Sequence, residues 1–302
     1  MRNRWHLVGH VSELANPGDF VVLPFATDRE IVLSNIDGDV VAWDNRCPHR
    51  GARIYTEPRG NRAPVCGYHG RCARAQDVHR FHVTEVYGGF LFVCTDPHAP
   101  GVPAIDSRTF DFLEETPPLR FHSEIRAVYS HDWTVAVENA LDNEHVPLVH
   151  GDSLSTLGLT RAALHCDHDG SSLELFVSAQ ADRLDRVGKL FDHRLLTCDY
   201  AHAHLFPYGA IATTRGWTYA LQNYFPRSDG GTTFVSRLFV QDGGEHETAR
   251  LRWAAAVANM NERVFAEDGA ICDLVQVGFT GNLGPRDDRI RHFRTNLRPV
   301  VL

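Results

Sequence analysis

Cys47-Pro48-His49 and Cys66-Gly67-Tyr68-His69 lie sixteen residues apart, and each supplies one thiol and one imidazole. They constrain the chain more than any other feature, because two Cys/His pairs on separate loops must converge if they hold one metal group. Either motif alone is weak in a chain with seven Cys and eighteen His. Zinc sites usually space paired ligands by two to four residues, and the one-residue gap of Cys47-x-His49 strains that geometry. Glycine follows each pair, Gly51 two residues after His49 and Gly70 directly after His69. Such glycines fit loop tips that approach a metal group closely.

Together the motifs resemble the ligand set of a Rieske [2Fe–2S] centre, with Cys47 and Cys66 on one iron and His49 and His69 on the other. Exchanging two anionic thiolates for neutral imidazoles raises the potential into a range suited to delivering electrons. Structural zinc in a ligand-binding or interaction protein is the other reading of the same four residues.

A chain of 302 residues is too long for a small electron carrier and suggests roughly two domains. Its 43% hydrophobic and 23% charged residues are those of a globular protein with sizeable cores. No apolar run reaches the length of a membrane span. The start, Met1-Arg2-Asn3-Arg4-Trp5, lacks the apolar stretch of a secretory signal, so a cytoplasmic location is expected. Cys72, Cys94, Cys166, Cys198 and Cys272 show no framework spacing and are expected as reduced thiols. The formal charge of −8 argues against nucleic-acid binding. Eight arginines fall between Arg46 and Arg80 against Glu57 and Asp77, whereas Glu138, Asp142, Glu144 and Asp152 stand together with no Lys or Arg. These read either as solvated loops or as two complementary docking surfaces.

Ile31-Val32-Leu33 and Val40-Val41-Ala42-Trp43 flank an Asp37-Gly38 turn signal and predict a β-hairpin. Phe90-Leu91-Phe92-Val93 predicts another strand. A β-rich domain over 1–100 is expected, then a linker over 101–120, since five prolines fall between Pro97 and Pro118, and then a second domain over 121–302.

The second domain opens on a helical pattern from His131, with Trp133, Val137, Ala140 and Leu141 on a core-facing side. Glu138, Asp142 and His145 share a face at i, i+4 and i+7. Pro147 is expected to end or kink this helix, turning His150 back toward His145. Two imidazoles and one carboxylate on one face of an octahedral ion leave positions open, the arrangement of non-haem Fe(II) oxygenases. Polar residues on an ordinary amphipathic helix would show the same pattern.

Taken in order, Cys47-x-His49, Cys66-x2-His69 and Glu138-x3-Asp142-x2-His145-x4-His150 resemble the oxygenase component of a Rieske non-haem iron oxygenase over nearly the whole chain. The resemblance implies an α+β protein, with an all-β Rieske domain followed by a helix-grip catalytic domain whose antiparallel sheet curves around a long C-terminal helix. Leu173–Val177 and Thr232–Phe239 alternate as its strands would. It further implies a mononuclear Fe(II) held by His145, His150 and a carboxylate of the segment 265–276. Asp268, eight residues before Gln276, matches that position best, with Asp273 as the alternative.

Relatives are rings, usually trimers, and Asp142 resembles the carboxylate that links the second cluster histidine, here His69, to iron ligand His145 of the next subunit. No Gly-x-Gly-x-x-Gly follows a strand, so the resemblance implies a separate reductase or ferredoxin as electron donor. The expected activity is hydroxylation or oxidative demethylation of a small aromatic or alicyclic metabolite with O2. A Rieske electron carrier with a non-catalytic ligand-binding domain is the alternative. Leu148, Leu154, Leu157, Phe206, Tyr208, Asn223 and Phe225 are candidates for the pocket or the core. Arg71-Cys72-Ala73-Arg74 departs from the family where an aromatic residue commonly follows His-Gly, which bears on the potential and contacts of the cluster rather than its ligation. The compact length resembles the single-subunit branch, often monooxygenases and demethylases.

Overall fold

A computed structural model describes residues 5–25, 29–70, 78–96, 98, 107–195, 198–275 and 281–297. Cys72 with its neighbours Arg71, Ala73 and Arg74, most of the stretch 97–106, Gln276 and the first four residues lie outside the described residues. The chain divides into two compact units, Met1–Ala104 and Ile105–Leu302.

The first unit is built on one antiparallel sheet. Its strands are β1 (His6–His10), β2 (Asp19–Phe25), β3 (Arg29–Ile36), β4 (Asp39–Asp44), β5 (Arg59–Asn61), β6 (Arg80–Val86) and β7 (Phe90–Cys94), in the order β1-β7-β6-β4-β3-β2-β5. Asp37 and Gly38 join β3 to β4 with φ of 56° and 102°, the left-handed pair that a tight hairpin needs to match strand twist. Phe20, Val32, Trp43, Ile54 and Tyr55 form a core that also contains Cys47 and Cys66. Phe20 and Tyr55 stack with ring centroids 3.7 Å apart, and Trp43 Nε1 donates to Ser34 Oγ at 2.9 Å. Each fully buried aromatic of this kind stabilises by about 1.5–3 kcal/mol, and here that packing also anchors both cysteines.

The second unit begins with α1 (Ser107–Glu114), β8 (Leu119–Tyr129), α2 (Trp133–Leu141) and α3 (Val146–Val149). Next come β9 (Leu159–Cys166), β10 (Ser172–Ser178), α4 (Ala181–Gly188), β11 (Tyr200–Leu205), β12 (Gly209–Thr214), β13 (Thr218–Pro226) and β14 (Thr232–Gln241). The chain closes with α5 (Glu247–Cys272) and α6 (Asp288–Leu297). The sheet is an antiparallel meander from β9 to β14, with β8 joined to β14 at the other edge. Helix α5 runs for 26 residues and packs on the sheet through Ala254, Val257 and Trp253 against Trp217, Ala220 and Leu238. Glycine is required where α5 crosses β8, since a Cβ at Gly269 would stand 2.6 Å from the Tyr129 ring.

Three expectations change. The segment read as a linker over 101–120 carries α1, with Phe110 and Leu113 fully buried. Its prolines sit at Pro103, Pro117 and Pro118, so a proline-free window remains in which a helix can form. The helix before the iron motif ends at Leu141, ahead of Pro147. Asp142 caps it in an extended conformation and its carboxylate accepts the Glu144 backbone N–H at 2.7 Å, a local bond that competes with helix continuation. Pro147 instead occupies the first turn of α3, where its missing N–H costs nothing. Ala136 rather than Ala140 completes the buried face of α2. Cys94, Cys166, Cys198 and Cys272 are free thiols. No helix among the described residues is long and apolar enough to cross a membrane.

Candidate metal centres

In the first unit the two motif loops share one construction. The Gly51 N–H donates to Cys47 O at 2.8 Å and the Gly70 N–H to Cys66 O at 2.9 Å, so each loop closes from Cys(i) to Gly(i+4). Both glycines have positive φ, 73° and 65°, which a side chain would oppose. The histidine falls at i+2 in one loop and i+3 in the other, yet the His49 and His69 rings meet at 4.8 Å between centroids. Cys47 and Cys66 are buried while both histidines are exposed. The Tyr68 backbone N–H, followed by the Cys47 thiol and the His69 N–H, holds the Cys66 thiol below its usual pKa. Two neighbouring thiols beneath two adjacent imidazoles suit a cluster bound by a cysteine pair on one side and a histidine pair on the other.

In the second unit, ligand atoms of His145, His150 and Asp268 all lie within 4.8 Å of one another. His145 and His150 flank α3 as its N-cap and C-cap, and Asp268 comes from the last turns of α5. The two Nε2 atoms are 3.2 Å apart. Asp268 Oδ1 is 3.4 Å from His145 Nε2 and 3.0 Å from His150 Nε2. Donors held about 2.1 Å from one ion at right angles would lie roughly 3.0 Å apart. The donor set therefore fits three adjacent positions around a single iron. Asp273 is not part of this set. It is the C-cap residue just past α5 and binds Ser130 Oγ at 2.7 Å and His131 Nδ1 at 2.9 Å.

Each imidazole is backed by a second carboxylate on its Nδ1 side. His150 Nδ1 lies 2.8 Å from Glu267 Oε2, which also accepts from Ser153 Oγ at 2.7 Å. His145 Nδ1 faces Asp142 Oδ2 at 3.6 Å, an ionic contact longer than a hydrogen bond, and this nitrogen is buried without a hydrogen-bond partner. A carboxylate on Nδ1 directs the lone pair of Nε2 toward the ion. Burial opposes charge on His145, but the Asp142 and Asp268 carboxylates outweigh it and raise the pKa to about 9. Burial likewise opposes ionisation of Asp268, but His145, His150 and the Asn139 amide, which donates to Oδ1 at 2.7 Å, lower its pKa to about 2. Glu267 and Asn139 went unassigned from sequence. The only hint of Glu267 was its place beside Asp268; one imidazole reaches both because its two nitrogens point in different directions.

The pairs around the motifs also revise the docking surfaces. Glu138 is held by Arg294 at 2.6 and 2.7 Å and Glu144 by Arg286 at 2.8 Å. In the first unit Arg59 pairs with Glu13 at 3.0 Å, Arg62 with Glu57 at 2.9 Å, and Arg53 with Glu30. Part of the local charge asymmetry is thus neutralised within each unit, with Arg53, Arg59, Glu138 and Glu144 paired to residues distant in sequence.

A cavity of about 250 Å³ opens beside the three ligand atoms. Phe176, Tyr200, His202, Ala212, Ala220, Gln222, Tyr224 and Phe265 are among its lining residues, and no Lys or Arg among the described residues is. Of the sequence candidates only Leu154 lines it. On β13 the cavity takes Thr218, Ala220, Gln222 and Tyr224, so the pleat carries Asn223 and Phe225 to the opposite face. Phe206, Tyr208 and Phe225 are core residues, and Leu148 is 87% exposed.

The family model for the Rieske [2Fe-2S] domain matches residues 4–80, and that for the ring hydroxylating alpha subunit (catalytic domain) matches residues 118–301. The chain belongs to this family of Rieske oxygenase large subunits, whose cofactors are a Rieske [2Fe–2S] cluster and a mononuclear iron. It is 29% identical over 187 residues to the 2-halobenzoate 1,2-dioxygenase large subunit of Burkholderia cepacia, covering 51% of this chain and 40% of that protein. Over 170 residues it is 26% identical to the carnitine monooxygenase oxygenase subunit of Escherichia coli K12, covering 48% and 46%. The matches thus span less than half the length of these relatives. A solved quaternary ammonium Rieske monooxygenase, described for carnitine oxidation and inter-subunit electron transfer, superposes with a TM-score of 0.68 at 19% identity, covering 97% of this chain and 87% of that one.

Proposed function

We propose that this protein is the oxygenase component of a Rieske non-haem iron oxygenase, acting on a small aromatic or alicyclic molecule with O2. The observation that carries the reading is the convergence of His145, His150 and Asp268 within 3.0–3.4 Å at the wall of an aromatic-lined cavity. Cys47, Cys66, His49 and His69 would hold the cluster, and His145, His150 and Asp268 the mononuclear iron. When bound, the two centres supply electron delivery and dioxygen activation. The chain's own residues do the rest. Glu267 and Asp142 orient the imidazoles from behind, Asn139 fixes the Asp268 carboxylate, and Phe176, Tyr224 and Phe265 exclude water from the space where substrate would lie.

Electrons would come from a separate reductase or ferredoxin, and the working form would be a homotrimer in which Asp142 bridges His145 to His69 of the next subunit. The Asp142 carboxylate facing Nδ1 of His145 at 3.6 Å supports that role. Hydroxylation and oxidative demethylation share one ligand set; the absence of Lys and Arg among the described lining residues argues against an anionic substrate.

The test is iron and acid-labile sulfide per chain on anaerobically purified protein, with O2 uptake under an exogenous reductase. About three irons to two sulfides, with uptake that depends on substrate, is the expected result. Two irons to two sulfides after Fe(II) addition would sink the oxygenase and leave an electron carrier.

A further inference from the structure

Behind the cavity lies an ionic network, centred on a fully buried Arg–Glu pair, that the metal sites do not use. Arg289 of α6 and Glu174 of β10 are 1% and 0% exposed. Arg289 Nη1 donates to Glu174 Oε2 at 3.0 Å and Nε to Ser172 Oγ at 3.0 Å. Glu174 also accepts from Asn143 Nδ2 at 2.6 Å and from Arg161. The remaining guanidinium nitrogen, Nη2, lies 3.0 Å from His202 Nδ1 and 3.3 Å from His202 O.

A guanidinium has donors only. The contact with His202 Nδ1 therefore makes that nitrogen an acceptor and puts the ring proton on Nε2. Burial, reinforced by the Arg289 charge, keeps the imidazole from protonating. His202 lines the cavity, and its Nε2 has no hydrogen-bond partner among the described residues. In the sheet His202 pairs with Ala212, which pairs with Ala220. These small side chains line the cavity as well, and they leave room beside the imidazole for a ligand.

We infer that His202 is a specificity-determining residue, whose Nε2–H donates a hydrogen bond to an uncharged acceptor oxygen, a carbonyl or hydroxyl, on a substrate otherwise apolar. This deepens the proposed oxygenase reading and rests on it. Tyr200 and Phe176 pair across β11 and β10 one step along the same face and provide the aromatic wall for the apolar part. Arg289 acts as a positioning residue, fixing the tautomer of His202 while its partner Glu174 holds Asn143, two residues from His145.

The test is equilibrium dialysis of the iron-loaded, cluster-containing protein against acetophenone and ethylbenzene, 1-indanone and indane, and benzoate. Each ketone should bind about tenfold more tightly than its hydrocarbon partner, and benzoate more weakly than acetophenone. His202→Phe should erase the ketone preference while leaving hydrocarbon affinity within about twofold, and His202→Gln, which can still accept from Arg289 and donate to a ligand, should restore it. Equal affinities within the pairs in wild-type protein, tighter binding of benzoate, a preference that survives His202→Phe, or no ketone binding below about 10 mM would each overturn the inference. Should His202→Phe fail to fold, the wild-type pairs and His202→Gln decide the matter. Iron content and O2 uptake are read on the same samples, so loss of the oxygenase reading appears there and not in the ketone preference.

Discussion

The two candidate metal centres are built in opposite ways. In the first unit each ligand pair sits on a single short loop closed by one backbone hydrogen bond onto a positive-φ glycine, with cysteines in the core and histidines outside. In the second unit the ligands join a loop around α3 to a residue of α5 that lies 118 positions beyond His150, and His150 and Asp268 are braced by hydrogen bonds to Glu267 and Asn139 while His145 faces Asp142. Local turn chemistry can present a cluster at a surface with little support. A buried mononuclear site has to be imposed by packing, and its charges have to be compensated one by one.

Removing a ligand from each centre exposes the contrast most sharply. Cys66→Ser should abolish the cluster and turnover while the mononuclear site still takes up one iron. Asp268→Ala should also abolish turnover but keep the cluster, leaving about two irons and two sulfides per chain. Loss of cluster absorbance in Asp268→Ala would show that the sites are not independent and would break the comparison.

Asp142→Asn should retain both metals and reduce turnover by about 100-fold. Wild-type turnover in that variant would remove Asp142 from the electron path. Glu267→Gln weakens the support behind His150, and a loss of roughly tenfold in Fe(II) affinity is expected, read by competition with a chelator. The cluster content should be unchanged.

The smallest effect concerns pH. Burial first, and then the Arg289 charge, lower the pKa of His204 to about 3. Unfolded histidine takes up its proton near pH 6.5, so this group favours unfolding as pH falls from about 6.5 toward 3 and leaves stability undiminished above that window. Denaturant titrations should show stability falling through this range. His204→Gln should flatten the slope by about 1.4 kcal/mol per pH unit where the histidine is protonated only in the unfolded chain. An unchanged slope would mean that His204 is protonated in the folded protein.

Much of this was legible in the chain itself. The Asp37-Gly38 hairpin and the strands at Phe90, Leu173 and Thr232 follow from short-range pattern. Asp142 and Pro147 both bear on the helix boundary, but their competition was not: a carboxylate bonded to the Glu144 N–H stops the helix before the proline does. The pocket was less legible still. Asn223 and Gln222 are neighbours of similar chemistry, and only strand register decides which one lines the cavity.

The sequence by itself determined the four cluster candidates, the His145 and His150 pair and the order of the two domains, because loop closure and helix spacing are local properties carried by neighbouring residues. Asp268 was preferred over Asp273 from the resemblance, but only tertiary structure shows it joining the histidines while Asp273 turns to His131, and tertiary structure alone decided that Glu267 and Asn139 brace the site and that Arg289 reaches His202. Those contacts join residues up to about 140 positions apart. Their partners are chosen by packing of α5 and α6 against the sheet, which no local pattern of residue types records.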